Sequence, residues 1–189
     1  MAAKAKGFTL IESIIAILVL GISMSVLLTI LFPRVENSAS SQYQVRASIL
    51  AQSMMTEILA RGFDDNSDPN GGIVRCDETG ATSCTTTLDA ETGETPATYN
   101  DVDDYVGCWH TNNSSECSSG VTVKGNLNDI FGSDISSDYR NFRVEVSVVY
   151  DPDSRFGFTD SLNRYKKITL TVFAGKYGEY NFRAYRGNY

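Results

Sequence analysis

The chain has 189 residues, a formal net charge of −7 and four cysteines, which suits one compact domain and a separate element. Its charge is uneven, because residues 64–134 contain 14 acidic and 2 basic residues, whereas residues 135–189 contain 6 acidic and 9 basic ones. Such an acidic surface repels phosphate, so the composition argues against a nucleic-acid partner. It is typical of a soluble, hydrated head.

An apolar segment of 25 residues runs from Phe8 to Phe32 and contains one charged residue, Glu12. Roughly 20 apolar residues are enough for a helix to cross a bilayer, so this segment is predicted to span a membrane. Lys4 and Lys6 precede it, and the positive-inside rule therefore favours a cytoplasmic N-terminus with the head on the other side.

Two other kinds of apolar segment fit this pattern less well. A secretory signal peptide has about 7 to 15 apolar residues before a small-residue cleavage site, whereas this run is longer and ends at Pro33-Arg34-Val35. An ordinary membrane anchor remains open, but it gives no reason for Glu12, since a carboxylate near the bilayer centre costs about 2.5 to 3.5 kcal/mol. Glu12 is therefore a candidate functional residue.

The start of the segment resembles a known processing motif. Lys6-Gly7-Phe8-Thr9-Leu10-Ile11-Glu12 is similar to the cleavage site of type IV prepilins, which a membrane aspartyl peptidase cuts after Gly before the new N-terminal Phe is N-methylated. The resemblance implies a leader at 1–7, cleavage between Gly7 and Phe8, and a filament-core helix at 8–32. It also implies three kinds of partner: the prepilin peptidase, an inner-membrane assembly platform and the other pilins.

Glu12 is the candidate assembly residue within this motif. It lies four residues after Phe8, about 6 Å along a helix. In the filament, the Phe8 ammonium of one subunit can neutralise Glu12 of its neighbour, so that a charge unpaired in the monomer becomes paired. The resemblance further implies an inner-membrane protein with a periplasmic head, which is later built into a pilus at the cell surface.

Residues 33–62 continue the helical pattern. Apolar and aromatic side chains recur there at spacings of three and four residues, at Tyr43, Ala47, Leu50, Met54 and Ile58. This spacing predicts an amphipathic helix that ends near Arg61, with Gly62 as its stop. Gly21 and Pro33 are expected to interrupt the long helix.

The head, residues 63–189, begins with a stretch at 64–140 that lacks clear periodicity and is interpreted as a long connection. Asp64, Asn66 and Asp68 alternate there as the oxygen ligands of a calcium loop do, although Pro69 and Arg75 violate the EF-hand template. A second acidic cluster consists of Asp101, Asp103 and Asp104. Solvated turns capped by the side chains are the competing interpretation, so no cofactor is predicted and calcium stays an alternative.

The four cysteines, Cys76, Cys84, Cys108 and Cys117, indicate an oxidising compartment. Zinc ligands usually come in pairs separated by two to four residues, whereas these gaps hold 7 and 8 residues, so disulfides are favoured. Four cysteines permit three connectivities, of which the local pairs Cys76–Cys84 and Cys108–Cys117 are predicted.

Trp109 and His110, the only tryptophan and histidine, lie inside the Cys108–Cys117 loop. An exposed Trp109 flanked by amides and carboxylates could stack on a sugar ring, which would suit a tip adhesin. A tryptophan buried beneath its loop is the favoured interpretation, and the sugar contact is the alternative. His110 is the only imidazole, and the chain has no HExxH motif or glycine-rich phosphate loop, so it is predicted not to be an enzyme.

The last third of the chain predicts a sheet. Residues alternate in polarity at 141–150, 168–172 and 180–184, which predicts three antiparallel strands, with 121–124 as a candidate fourth. Turns are predicted at 151–154 and 175–178. The apolar face of this sheet needs a cover, which the helix supplies, so the fold class is α+β. This arrangement resembles the pilin fold.

Three short segments of the head resemble the MshD-like minor pilins of the mannose-sensitive haemagglutinin (MSHA) pilus. They are Phe63-Asp64-Asp65-Asn66, Arg75-Cys76-Asp77 and Asn100-Asp101-Val102-Asp103-Asp104-Tyr105. The resemblance implies a structural subunit that contributes to filament initiation, tip composition or surface adhesion. A type II secretion pseudopilin, whose short filament acts as a piston and whose family includes calcium binders, is the alternative.

Overall fold

The structure, a computed structural model, describes residues 7–68, 75–129, 132–151 and 163–188, except for the side chains of 33 and 35–37. The chain divides into two compact units, residues 1–42 and 43–189. One α-helix, α1 (Leu10–Leu59), contributes residues to both units.

The first unit consists mainly of the apolar part of α1. Leu10–Phe32 is long and apolar enough to cross a membrane, with a mean hydropathy of 2.8, and none of it is buried. The residues are helical without a gap through Gly21 and Pro33, so the predicted interruption is wrong as a break in the helix. A proline removes one hydrogen-bond donor, and the turns on either side of it can still form their own bonds.

The second unit contains a five-stranded sheet. Its strands are β1 (Gly107–His110), β2 (Val123–Asn126), β3 (Phe142–Tyr150), β4 (Tyr165–Ala174) and β5 (Glu179–Gly187). They lie in the order β2-β1-β3-β4-β5. All neighbouring strands are antiparallel except β1 and β2, which are parallel.

The three strands predicted near the C-terminus are confirmed as β3, β4 and β5, and the turn predicted at 175–178 joins β4 to β5. The candidate fourth strand is present slightly later, at Val123–Asn126. The sheet is mixed rather than purely antiparallel, because β1 lies within the stretch interpreted as a connection and pairs in parallel with β2. At four residues β1 is too short to show a period. Of the turn predicted at 151–154, residues 152–154 lie outside the described residues.

The core of this unit lies between one face of the sheet and the helix residues from Tyr43 onward. Ala47, Leu50 and Ile58 of α1 are buried against alternate residues of the strands, namely Phe142, Val144, Val146, Val148, Ile168, Leu170 and Val172. The ring of Tyr43 stacks on Phe142 with centroids 5.4 Å apart. Both the helical and the strand periodicity are therefore confirmed, and together they give the predicted α+β pilin fold.

Residues just beyond the end of α1 fix the position of the head's second acidic cluster. The Gly62 amide donates to the Asn100 carbonyl at 2.8 Å, and Gly62 forms an isolated bridge with Asp101. A short 3-10 turn at Asp103–Tyr105 follows immediately and leads into β1. The polar residues after α1 therefore lie beside the acidic residues at 101–104.

Candidate functional site

The residues of the processing motif lie at and just before the start of α1. Gly7 and Phe8 precede the helix, and Phe8 is 77% exposed. Thr9 caps the helix, because its hydroxyl accepts from the Glu12 amide at 3.4 Å. The bond predicted to be cut therefore lies in exposed, non-helical chain, and Glu12 lies exposed in the first turn of an apolar helix.

In the head, the segments 63–66, 75–77 and 100–105 meet at one place. Its centre is Lys166 of β4, whose side chain is fully buried. The Lys166 ammonium lies 3.1 Å from Asp64 Oδ2 and also bonds to Asp103. The rings of Phe63 and Tyr150 lie 4.8 Å and 5.4 Å from its nitrogen, so the charge is enclosed by aromatic surface.

Asp64, the first candidate calcium ligand, is occupied by internal donors. Its Oδ2 accepts from the Thr85 amide at 3.0 Å and the Tyr150 hydroxyl at 3.1 Å, in addition to Lys166. Its Oδ1 accepts from the Asn66 amide at 3.0 Å. An ammonium so close to a carboxylate repels a second cation, so the alternating pattern does not produce an open set of oxygen ligands.

The other two candidates of that loop differ from Asp64 in their exposure. Asn66 and Asp68 are exposed, while Asp64 between the helix end and β4 is buried. Residues 69–74, which complete the predicted loop, lie outside the described residues. Asp64 does cap the turn, as the competing interpretation predicts, because it accepts from the Asn66 amide. It is not solvated, however, because it is buried and pairs with Lys166.

Asp101 adds a further carboxyl to the same interior. Its Oδ1 accepts from the Asp103 amide at 2.9 Å, and its Oδ2 accepts from the Asp65 amide at 3.1 Å. Burial, followed by the charge of Asp103, raises the pKa of Asp101 to about 8. Burial also raises the pKa of Asp103, against the opposing effect of Lys166. Both acids are buried and bonded to groups of the chain itself, so they connect the loop before β1 to its neighbours.

The two disulfides join Cys76 to Cys84 and Cys108 to Cys117, as the local pairing predicts. The first packs beside the Lys166 cluster, because Cys76 and Cys84 form one buried group with Phe63, against which Tyr150 packs. The second closes the loop that follows β1. Both therefore fix long irregular segments onto the sheet.

Trp109 is only 5% exposed. Its indole nitrogen donates to the Tyr105 carbonyl at 3.2 Å, and its ring packs against those of Tyr99 and Tyr105. It therefore presents no open ring face for stacking on a sugar, and the favoured buried interpretation describes it. His110 is half-buried in β1, where its backbone pairs with Arg143.

A cavity of about 630 Å³ lies next to this aromatic cluster. Leu50, Met54, Trp109 and Tyr139 are among the residues of its apolar walls. At its polar end, Arg61 donates to the Tyr105 hydroxyl and that hydroxyl donates to Glu57, both at 3.0 Å. These groups satisfy one another, so they stabilise the wall rather than present a catalytic group.

Sequence reasoning missed the role of Lys166 and the convergence of Glu91 and Glu94 with Asp104. A signal for the lysine exists, since Lys166 is in phase with Ile168 and Leu170, at an inward position of a strand. For the glutamates the signal is weaker. A turn-forming Gly93 lies between them, and nothing local indicates that Asp104 completes the group.

Comparison with known protein families yields one match. The model described as the prokaryotic N-terminal methylation motif matches residues 2–28. No curated protein and no solved structure matches the chain. The match covers residues 2–7, the Gly7–Phe8 bond, Glu12 and most of the apolar segment. Together with the exposed apolar helix, it supports a type IV prepilin-like protein that is processed by a prepilin peptidase and assembles with other pilins.

Proposed function

We propose that this chain is a minor pilin of an MSHA-like type IV pilus, cleaved between Gly7 and Phe8 and assembled through α1. In this proposal, residues 1–7 are the leader, 8–32 the filament-core helix, 33–62 its amphipathic continuation and 63–189 the head. Before assembly, the protein lies in the inner membrane with its head in the periplasm. It then enters a filament at the cell surface, where it contributes to initiation, the tip or adhesion.

The observation that carries this proposal is the uncovered apolar helix directly after the processing motif. Leu10–Phe32 buries none of its residues within the chain. An apolar surface of this extent needs another apolar environment, which lipid provides before assembly and neighbouring pilin helices provide afterwards. Glu12 is the single charge in that surface, and a neighbour's Phe8 ammonium would neutralise it.

The more specific assignment to an MSHA-like minor pilin rests on the three short segments of the head. They are far apart in sequence, yet Asp64 and Asp103 share Lys166, and the Cys76 segment packs beside them. Segments that build one buried cluster are expected to occur together in related heads, because none of the acids is stable there without its partner. The assignment therefore depends on a connected structural unit rather than on isolated matches.

The test is the mature N-terminus of the native protein, determined by mass spectrometry. We expect N-methylated Phe8 as the first residue. Gly7→Glu should leave the uncleaved precursor in the inner membrane, because the residue before the cut is changed. Ala3→Glu, which adds the same charge within the leader, is the matched control and should still be cleaved. A native N-terminus at any other residue would contradict the proposal.

The location of the mature protein separates the pilus from the secretion alternative. A pilus subunit is expected in filaments sheared from the cell surface. A type II pseudopilin is expected to stay with the cell envelope after shearing. The alternative of a sugar-binding tip through Trp109 loses its main support, because that ring is buried.

A further inference from the structure

Three carboxylates converge at a second place in the head. Glu91 and Glu94 lie at the two ends of a tight turn, in which the Glu94 amide donates to the Glu91 carbonyl at 3.1 Å. Gly93 has a φ of +99°, a conformation that favours glycine, so the turn brings the two acids together. Asp104 comes from the 3-10 turn at 103–105. One oxygen of each acid lies within 4.8 Å of the others.

Asp104 leaves one buried oxygen of this group without a hydrogen-bond partner. The residue is fully buried, and its Oδ2 accepts from the amides of Asn100 and Asp101 at 2.8 Å and 3.0 Å. Within the described residues, its Oδ1 has no partner, and the same is true of the buried Oε2 of Glu91. A buried acceptor without a donor is costly, so these two oxygens are suited to contact a bound cation.

The charge of the group is also uncompensated. In the part of the chain that the structure describes, no ion pair joins a lysine or arginine to any of the three acids. The nearby Lys124 pairs instead with Asp89 at 2.7 Å. Burial, followed by a hydrogen bond with Glu94, raises the pKa of Glu91 to about 7. The acids around Lys166 form the contrast within the same head, because a buried ammonium compensates them.

We propose that Glu91, Glu94 and Asp104 form a binding site for one divalent cation of the calcium class. Calcium takes six to eight oxygen ligands at about 2.4 Å, so no two of its ligands lie more than about 4.8 Å apart, and one oxygen of each acid meets that limit. Three carboxylates balance its charge, and water fills the remaining positions. Magnesium requires a stricter octahedron, which carboxylates from two separate loops are less suited to provide.

The bound ion joins the turn at 91–94 to the loop that holds the acidic cluster. Asp104 is next to Asp103, which bonds to Lys166. The ion and Lys166 therefore both stabilise the loop at 101–104. The site is distinct from the loop of Asp64, Asn66 and Asp68. In that loop, the carboxylate of Asp64 already pairs with Lys166. It does not depend on the proposed filament role, because every ligand lies in the head.

Calorimetric titration of the chelator-treated full chain in detergent micelles, with calcium chloride as the probe, tests the site. We expect one calcium ion per chain and a higher melting temperature, and magnesium should bind at least tenfold more weakly. Glu94→Gln, which changes a half-exposed residue, should weaken calcium binding at least tenfold, because it removes one of three charged ligands. Glu78→Gln, which changes a similarly half-exposed residue in another turn, is the matched control and should bind as the unaltered chain does.

Two outcomes would overturn the proposal. One is the absence of heat and of any melting shift with the folded, unaltered chain at 10 mM calcium, on the order of ten times the weakest dissociation constants of extracellular calcium sites. The other is binding that survives Glu94→Gln but is lost in Asp68→Asn, which would place the ion in the 64–68 loop. Failure of leader cleavage at Gly7 would leave this result unaffected, so the two proposals are tested separately.

Discussion

Lys166 Nζ lies 3.1 Å from Asp64 Oδ2, although the two residues are 102 positions apart in sequence and both side chains are fully buried. Asp64 follows the end of α1, whereas Lys166 points inward from β4. With Asp103, the pair joins the end of the helix, the loop before β1 and the central strand of the last three. Buried ion pairs therefore join these elements at this end of the head, in addition to apolar packing.

Removal of this lysine is expected to destabilise the head strongly. Lys166→Met keeps a similar volume but leaves the carboxylates of Asp64 and Asp103 buried without their cation, which typically costs about 3 to 5 kcal/mol. Lys167→Met, on the opposite face of β4, is the control and should change the free energy of unfolding by about 0.5 kcal/mol or less. Urea unfolding of the full chain in detergent measures both. Equal stability of the two variants would mean that the buried ion pair contributes little.

The close approach of β1 to Lys124 of β2 and to Thr122 just before it is expected to exclude a side chain at Gly107. A Cβ there would lie 2.7 Å from both Lys124 Cγ and the Thr122 carbonyl oxygen. Gly125 has nearly the same backbone conformation, with φ of +145° against +141°, but open space around it. Both alanine variants therefore share the backbone strain, and only Gly107→Ala adds the clash.

We expect Gly107→Ala to be less stable than Gly125→Ala by about 1 to 3 kcal/mol, the usual cost of overpacking. Thermal unfolding of the two variants side by side isolates this difference. A difference near zero would show that Lys124 and the Thr122 carbonyl move aside freely.

Glu12 is expected to act in filament assembly rather than in folding of the head. Glu12→Val removes the acid that would pair with a neighbour's Phe8 ammonium, leaving that charge uncompensated in an apolar filament core. The variant should still insert in the membrane, be cleaved after Gly7 and form both disulfides. Its amount in sheared filaments, relative to the membrane pool, should fall at least tenfold.

Two further variants sharpen the Glu12 test. Glu12→Asp keeps the charge on a shorter side chain and should give an intermediate amount in filaments. Ser13→Val changes the next exposed residue of the helix to the same apolar side chain and should assemble normally. Incorporation of Glu12→Val at the normal level would instead make the carboxylate an interfacial residue that reaches toward the cytoplasmic surface.

Much of the fold could be predicted because its signals are local. Membrane length, the helical spacing from Tyr43 to Ile58 and the alternation in β3 each depend on residues a few positions apart. The connection at 64–140 concealed β1, because four residues, Gly107–His110, complete no recognisable period. The same limit left a surface position for Trp109 open beside the favoured buried one, since a single aromatic in a disulfide loop shows nothing of its burial.

The candidate sites also differ in whether local sequence reveals them. Gly7, Phe8 and Glu12 belong to one short motif, and their meaning depends on order and spacing along the chain. Asp64 was interpreted as a possible calcium ligand because its neighbours in sequence carry oxygen atoms. In the fold its decisive neighbour is Lys166, which approaches through sheet pairing and strand orientation.

The sequence by itself determined the processing motif, the membrane helix with its single acid, the amphipathic face of that helix and the strands it covers, since each is a periodicity or a fixed spacing. Tertiary structure alone decided how the acidic residues are used. One group is neutralised by a buried lysine, whereas Glu91, Glu94 and Asp104 meet without a compensating cation among the described residues. The physical reason is that charge interactions depend on distance in space, and chain folding, not sequence order, sets those distances.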